Sequence, residues 1–154
     1  MERSRLELTT DAAFALERAV PMLVRWFTRG EVKRSMLASV EPSLSWTDAW
    51  LLGRIADTGP VRLSSLAAWQ EVDRSTMTTE VRRLEKLGLV ERTTDPADGR
   101  AVLLRATRAG TARHRQTKST ARSVYESLLQ DWSPEDLVAA ERVARRLTST
   151  LEPR

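Results

Sequence analysis

Apolar residues recur at helical spacing over most of the chain. After the polar "LTTD", Leu16, Val20, Leu23, Val24 and Phe27 repeat every three or four positions and predict a helix that ends near Gly30. Pro21 lies inside this run, where a missing amide donor and a ring clash call for a kink or a restart. Residues 31 to 43 are ambiguous, with room for a short helix before Pro42. The next helix is predicted to start at Thr47, whose hydroxyl caps "DAWLLGRIAD", and to stop at "TGP". Val61 and Arg62 form a short extended piece. A helix from about Ser65 to Gln70 follows, then a turn near Glu71 and Val72. Asp73 caps a fourth helix reaching Leu87, and Gly88 supplies the left-handed residue that closes it.

The pattern then changes. Leu89 to Thr93 and Ala101 to Arg105 read as two strands joined by "TDPADG", a composition suited to a hairpin tip. Thr107 caps a long helix to about Gln130. "SPED" at 133–136 then combines an N-cap serine, a proline at the first helical position and a reciprocal acid. The last helix carries Leu137, Ala140, Ala144, Leu147 and Leu151 on one stripe. No window approaches the ~18 consecutive apolar residues of a membrane span, and "MERSRLELTT" lacks the apolar core of a secretory signal. The expectation is a cytoplasmic protein with no membrane partner.

Composition narrows the chemistry. A chain of 154 residues with 41% hydrophobic and 30% charged content suits one compact domain. The absence of cysteine removes disulfides, thiolate metal sites and thiol redox switches. The single histidine, His114, removes a His-rich metal site, and its expected place is a solvated helix face. No phosphate-binding glycine loop, metal-ligand cluster or nucleophile–base pair is found. The expectation is therefore no catalytic residue, no metal and no cofactor, and an enzyme is not expected. The net charge of +4 is unevenly spread: Arg74 to Arg115 holds ten Lys/Arg against five acids, and the remainder holds 15 against 16. An excess confined to one segment suggests a local anion-binding surface.

That segment contains the fourth helix. At ~100° per residue, Val81 and Leu84 fall within about 40° of Met77, and the three form its buried stripe. Ser75, Thr79, Arg82 and Lys86 lie opposite, with Thr76 and Arg83 on one shoulder and Thr78 on the other. Glu80 and Glu85 lie nearer the buried flanks, so no carboxylate points outward along that face. Short hydroxyls let a helix approach a groove floor, and arginines beyond them reach guanine edges or phosphates. An ordinary solvated helix face accounts for the same residues. The context favours DNA: a short helix, a tight turn, a second helix and a basic hairpin match a winged helix-turn-helix.

Residues 66–110 resemble the MarR family of bacterial transcription regulators through five elements in order: Leu66-Ala67; Val72-Asp73-Arg74-Ser75-Thr76; Leu84 to Val90, "LEKLGLV"; Asp98-Gly99-Arg100; and Thr107-Arg108-Ala109-Gly110. Asp73 stands where the family often has Ser, Ala106 where Leu is usual, and Trp69 where a small or polar residue is usual. Trp69 either packs at the hinge or abuts DNA. The resemblance implies a mainly α fold with a small β-wing: a winged helix-turn-helix lobe over about 45–110 and a dimerisation lobe from helices at 8–30 and 107–151, within a single domain 1–154. It implies that Arg74, Ser75, Thr76, Thr78, Thr79, Arg82 and Arg83 face the major groove. It also implies that Arg100, oriented by Asp98, reaches the minor groove; an ordinary turn salt bridge is the other reading of that pair.

The lobe at 45–110 closes a small core by itself, which leaves apolar stripes on the first and last helices to bury each other across a two-fold axis. The expected partners are a second copy of the chain and double-stranded DNA carrying an inverted repeat, bound by a homodimeric repressor. The resemblance further implies a small aromatic or lipophilic effector between the two lobes. Met22, Trp26, Trp46, Trp50 and Arg54 either line that cavity or belong to the core. The alternative function is an architectural or protein-docking winged helix without operator specificity.

Overall fold

The computed structural model describes residues 2–37, 44–95 and 98–151. Seven helices and three strands follow in the order α1 (Glu2–Thr28), α2 (Gly30–Leu37), α3 (Trp46–Thr58), β1 (Val61–Arg62), α4 (Leu63–Gln70), α5 (Arg74–Lys86), β2 (Val90–Asp95), β3 (Asp98–Ala106), α6 (Arg108–Leu128) and α7 (Pro134–Leu151). The architecture is mainly α with a small antiparallel sheet.

Two predicted helix starts are corrected. α1 begins at Glu2 and runs through Pro21 without a restart. Residues 2–15 contain no glycine or proline to delay the start, and Pro21 removes only one amide donor from a long ladder. α3 is capped by Ser45, not Thr47: Ser45 Oγ accepts from Asp48 N at 3.1 Å, and Asp48 Oδ2 accepts from Ser45 N at 3.1 Å. The Ser-x-x-Asp spacing satisfies two end amides reciprocally, which one threonine inside the first turn cannot do. Smaller differences occur at α4, which begins at Leu63, and in the strands, which reach Asp95 and back from Asp98. Asp73, Thr107 and Ser133 hold the cap positions expected of them, and Gly88 takes φ 68°.

The sheet order is β1-β3-β2, with Val61 opposite Leu104 and Val90 opposite Ala106. Its inner side closes over Leu51, Leu52 and Ile55 of α3, Leu66 and Ala67 of α4, and Met77, Val81 and Leu84 of α5. With Leu44, Leu89, Val90 and Leu104 these residues make one core within residues 44–104. α6 is seated on it through Gly110, which is buried against Leu89 and Leu52.

Outside this lobe α2 packs on α6 and buries Met36, whereas the packing of the terminal helices is sparse. Among the described residues α1 packs mainly on α2, and α7 packs extensively on no other element. Both expose large apolar side chains, including Phe14, Leu16, Val20, Leu23 and Val24 on α1 and Leu137, Val138, Val143 and Leu147 on α7. No helix among the described residues is long and apolar enough to cross a membrane.

Candidate nucleic-acid interface

α5 presents the face expected of it. Met77, Val81 and Leu84 are fully buried, while Arg74, Ser75, Thr76, Thr79, Arg82 and Lys86 are exposed and Thr78 is half-buried. The helix starts sharply because Asp73 holds its first amides: Oδ1 accepts from Ser75 N at 2.8 Å and Thr76 N at 2.9 Å. The same carboxylate accepts from the hydroxyls of Ser75 and Thr76, the latter at 2.9 Å. The Ser75 hydroxyl bond, then the amide and hydroxyl of Thr76, hold the Asp73 carboxyl well below the usual carboxylate range. Thr78 and Thr79 donate their hydroxyl protons back to Arg74 O (2.7 Å) and Ser75 O (3.1 Å). Four hydroxyls thus have their protons engaged by the helix or its cap, which leaves their oxygens as acceptors.

The cations divide into two sets. Arg62, Arg92 and Arg105 pair with Asp95, Glu85 and Glu91 at 2.8, 2.6 and 2.7 Å, bracing the sheet and its junction with α5. Arg83, which the resemblance places on the DNA face, is also engaged, with its side chain still half exposed. Its Nε donates to Asp48 Oδ1 at 2.8 Å, and its guanidinium reaches Ser45 Oγ at 3.2 Å. Asp48 is only 3% exposed, and a buried carboxylate left without a partner is costly, so this arginine is held toward α3. Among the described residues no carboxylate lies within ion-pair distance of Arg74, Arg82 or Lys86. Asp98 and Arg100 begin β3, with Asp98 opposite Asp95. Their side chains lie outside the described residues.

A second feature lies behind the helix-turn-helix, a cavity of about 420 Å³ between α2, α3, α4 and α6. Trp46, Trp50 and Arg54 line it as expected; Met22 and Trp26 do not. Both of these sit on α1, which packs mainly on α2, and Met22 is 72% exposed. Sequence reasoning missed Trp69, His114 and Tyr125, which also line the cavity. Trp69, though 37% exposed, packs on its neighbours: its ring lies 5.8 Å from that of Trp50 at 41°, with the Arg54 guanidinium 5.2 Å from its centroid. Stacked arginine and indole attract through the ring's negative face. His114 is not on a solvated face. Its side chain is 13% exposed and lies 3.1 Å from Asp57 Oδ1, and its ring lies where a Cβ on Gly53 would come within 3.0 Å. The bare Gly53 opens the seat, a signal visible only once α3 and α6 are known to cross. Trp50 and Arg54, four apart on one helix, were readable as neighbours; Trp69 needed the tertiary fold.

Residues 44–102 match the model of the MarR family. An 86-residue stretch is 31% identical to an HTH-type transcriptional regulator of Bacillus subtilis, YxaD, covering 56% of this chain and 60% of that relative's length. A MarR family protein from Bacillus stearothermophilus superposes with a TM-score of 0.80 at 20% identity, covering 92% of this chain and 96% of that one. Streptococcus pneumoniae FabT, solved in complex with DNA, gives 0.73 at 23% identity over 88% and 96%. A probable transcriptional regulator from Pseudomonas aeruginosa gives 0.65 at 26% identity over 86% and 98%.

Proposed function

This chain belongs to the MarR family of transcription regulators and carries its winged helix-turn-helix, and from that premise we propose that it is a homodimeric repressor of an inverted-repeat operator. The observation that carries this reading is the outer face of α5. Hydroxyl oxygens and the cations Arg74, Arg82 and Lys86 stand together there, and among the described residues no carboxylate opposes these cations within ion-pair distance. Such a face suits phosphates and base edges at once. Arg74, Ser75, Thr76, Thr79 and Arg82 enter the major groove, with Thr78 at the margin, and Arg83 contributes by fixing the helix. Asp98 and Arg100 at the wing serve the minor groove.

Residues 45–110 form the DNA-binding lobe, and 8–30 with 107–151 form the dimerisation helices. The exposed stripes of α1 and α7 support this division, since contiguous apolar surface of this extent marks an interface. A two-fold relation between two copies of α5 sets the half-sites about one turn of DNA apart. The tryptophan-walled cavity takes a small aromatic or lipophilic effector that releases the DNA. FabT, whose structure holds DNA, supports the DNA-binding reading by analogy of fold.

Selection of bound sequences from random duplexes, repeated at two salt concentrations, tests the proposal. Recovery of one inverted repeat is expected. Binding without a motif that vanishes as salt rises would instead mark an architectural or docking module.

A further inference from the structure

The cavity and the DNA-binding helix share two neighbours, α3 and α4, and α3 is the one joined to α5 by an ion pair. At ~100° per residue, Trp46, Ala49, Trp50, Gly53, Arg54 and Asp57 fall on one side of this helix, and all of them border the cavity. Asp48 falls on the opposite side with Leu51, Leu52 and Ile55, and all four are buried. Asp48 does two things there. Its Oδ2 caps α3 by accepting from Ser45 N at 3.1 Å and from Ser45 Oγ at 2.7 Å. Its Oδ1 holds Arg83 of α5, with the nearest guanidinium nitrogen at 2.7 Å. The N-terminal turn of α3 therefore carries the cavity wall, Trp46, and the anchor of the recognition helix within three residues.

We propose that the Asp48–Arg83 pair is the mechanical link through which occupancy of the tryptophan-walled cavity changes the position of α5. This rests on the reading of the cavity as an effector site. α4 and α5 move as one body, because Leu66 and Ala67 pack with Met77 and Val81, and Gln70 Nε2 donates to Glu80 at 2.9 Å. A ligand that pushes on Trp46 or Trp50 tilts α3. The buried carboxylate carries that displacement to Arg83, in the last turn of α5, while the core near Leu66 and Met77 acts as the pivot. Asp48 and Arg83 are positioning residues here: neither needs to touch ligand or DNA to couple them. Asp48 is only 3% exposed, so its carboxylate is costly to leave without the guanidinium, although the Arg83 side chain itself is half exposed.

Coupling between two binding sites is reciprocal, so DNA must alter ligand affinity by the factor by which ligand alters DNA affinity. The test uses the full chain, the duplex recovered by selection, and 1-anilinonaphthalene-8-sulfonate, an aromatic anion matched to the indoles and Arg54, as a fluorescent probe. Probe affinity is measured with and without saturating duplex for wild type, Asp48→Asn, Arg83→Lys and Trp50→Ala. The expected result is a wild-type coupling factor of about five-fold or more. In Asp48→Asn the factor falls to near one, with probe affinity in the absence of DNA unchanged. Arg83→Lys, which keeps the charge but cannot reproduce the guanidinium geometry, reduces the factor as well and serves if the asparagine variant does not fold. A coupling factor that stays at the wild-type value in both folded variants overturns the link while leaving the effector site standing. Probe binding unaffected by Trp50→Ala, or a wild-type factor of one, removes the effector reading and the link together.

Discussion

Gly110→Ala separates two physical expectations of opposite sign. Gly110 is in the first turn of α6, where replacing glycine by alanine ordinarily stabilises a helix by about 1 kcal/mol. The structure opposes this. A Cβ at Gly110 would stand 2.0 Å from the Leu89 carbonyl oxygen and 2.9 Å from its carbon, with Leu52 Cδ1 at 3.3 Å. Normal contacts need roughly 3.5 Å, so the backbone of Leu89 or the start of α6 must retreat by more than an ångström. Leu89 is pinned on both sides: its oxygen accepts from Thr107 N at 3.0 Å and its amide donates to Leu84 O at 3.0 Å. Overpacking costs ~1–3 kcal/mol and loss of one of those bonds about 1 kcal/mol. After the propensity gain, the variant is less stable by roughly 1–3 kcal/mol. At ~3 °C per kcal/mol for a chain of this size, thermal unfolding at matched protein concentration shows a midpoint lower by about 3–9 °C. Gly53→Ala is the control, because its methyl meets the His114 ring at 3.0 Å, a side chain that can rotate aside. A Gly110→Ala midpoint equal to or above wild type refutes the close-approach argument.

Asp73→Asn keeps a good N-cap, so its stability near pH 7 changes little, but its pH dependence does change. The folded carboxyl of Asp73 is held below the usual range by the Ser75 and Thr76 bonds, so its contribution is present above the ordinary carboxylate pKa and is lost as pH falls toward the folded value. Stability against acid between about pH 5 and pH 2 should decline less steeply in the asparagine variant, and identical slopes count against that origin. Arg82→Ala should weaken binding to all duplexes and reduce the slope of log affinity against log salt by about 0.9; an unchanged slope places Arg82 off the DNA. Leu147→Glu puts a charge on the exposed stripe of α7 and should give the 17.4 kDa monomer by light scattering at micromolar concentration. A wild type that already scatters as a monomer removes the dimer.

Where the chain folds on local chemistry, the sequence was readable. Asp73, Thr107 and Ser133 act within three residues of themselves, and the buried stripe of α5 follows from periodicity alone. Ser45 was passed over for Thr47 because both have hydroxyls; the discriminating residue was Asp48, the acid three positions on, which makes the box reciprocal. The helical angle puts Arg83 on the DNA face, but an arginine side chain can swing off its backbone direction, and its pairing with Asp48 is not readable from that angle. Its position is decided by a buried carboxylate 35 residues away. The cavity was half legible for the same reason: Trp46, Trp50 and Arg54 share a helix, whereas Trp69, His114 and Tyr125 reach it from α4 and α6.

The apolar surface that the lobe leaves uncovered bears on the function as well as the assembly. A helix of 27 residues such as α1, exposing Phe14, Leu16, Leu23 and Val24, gains little from packing within its own chain. Helical stability in water comes mostly from burying such a face, not from propensity. α7 is in the same position. The core at 44–104 needs neither helix to close, so the DNA-reading lobe and the terminal helices draw their stability from different contacts. Among the described residues α2 packs on α1 as well as on α3 and α6, and the cavity lies where α2, α3, α4 and α6 meet. A ligand there acts on the junction of the two parts, where a small tilt costs few core contacts and is carried to α5 by the pairing of Arg83 with the buried Asp48 carboxylate.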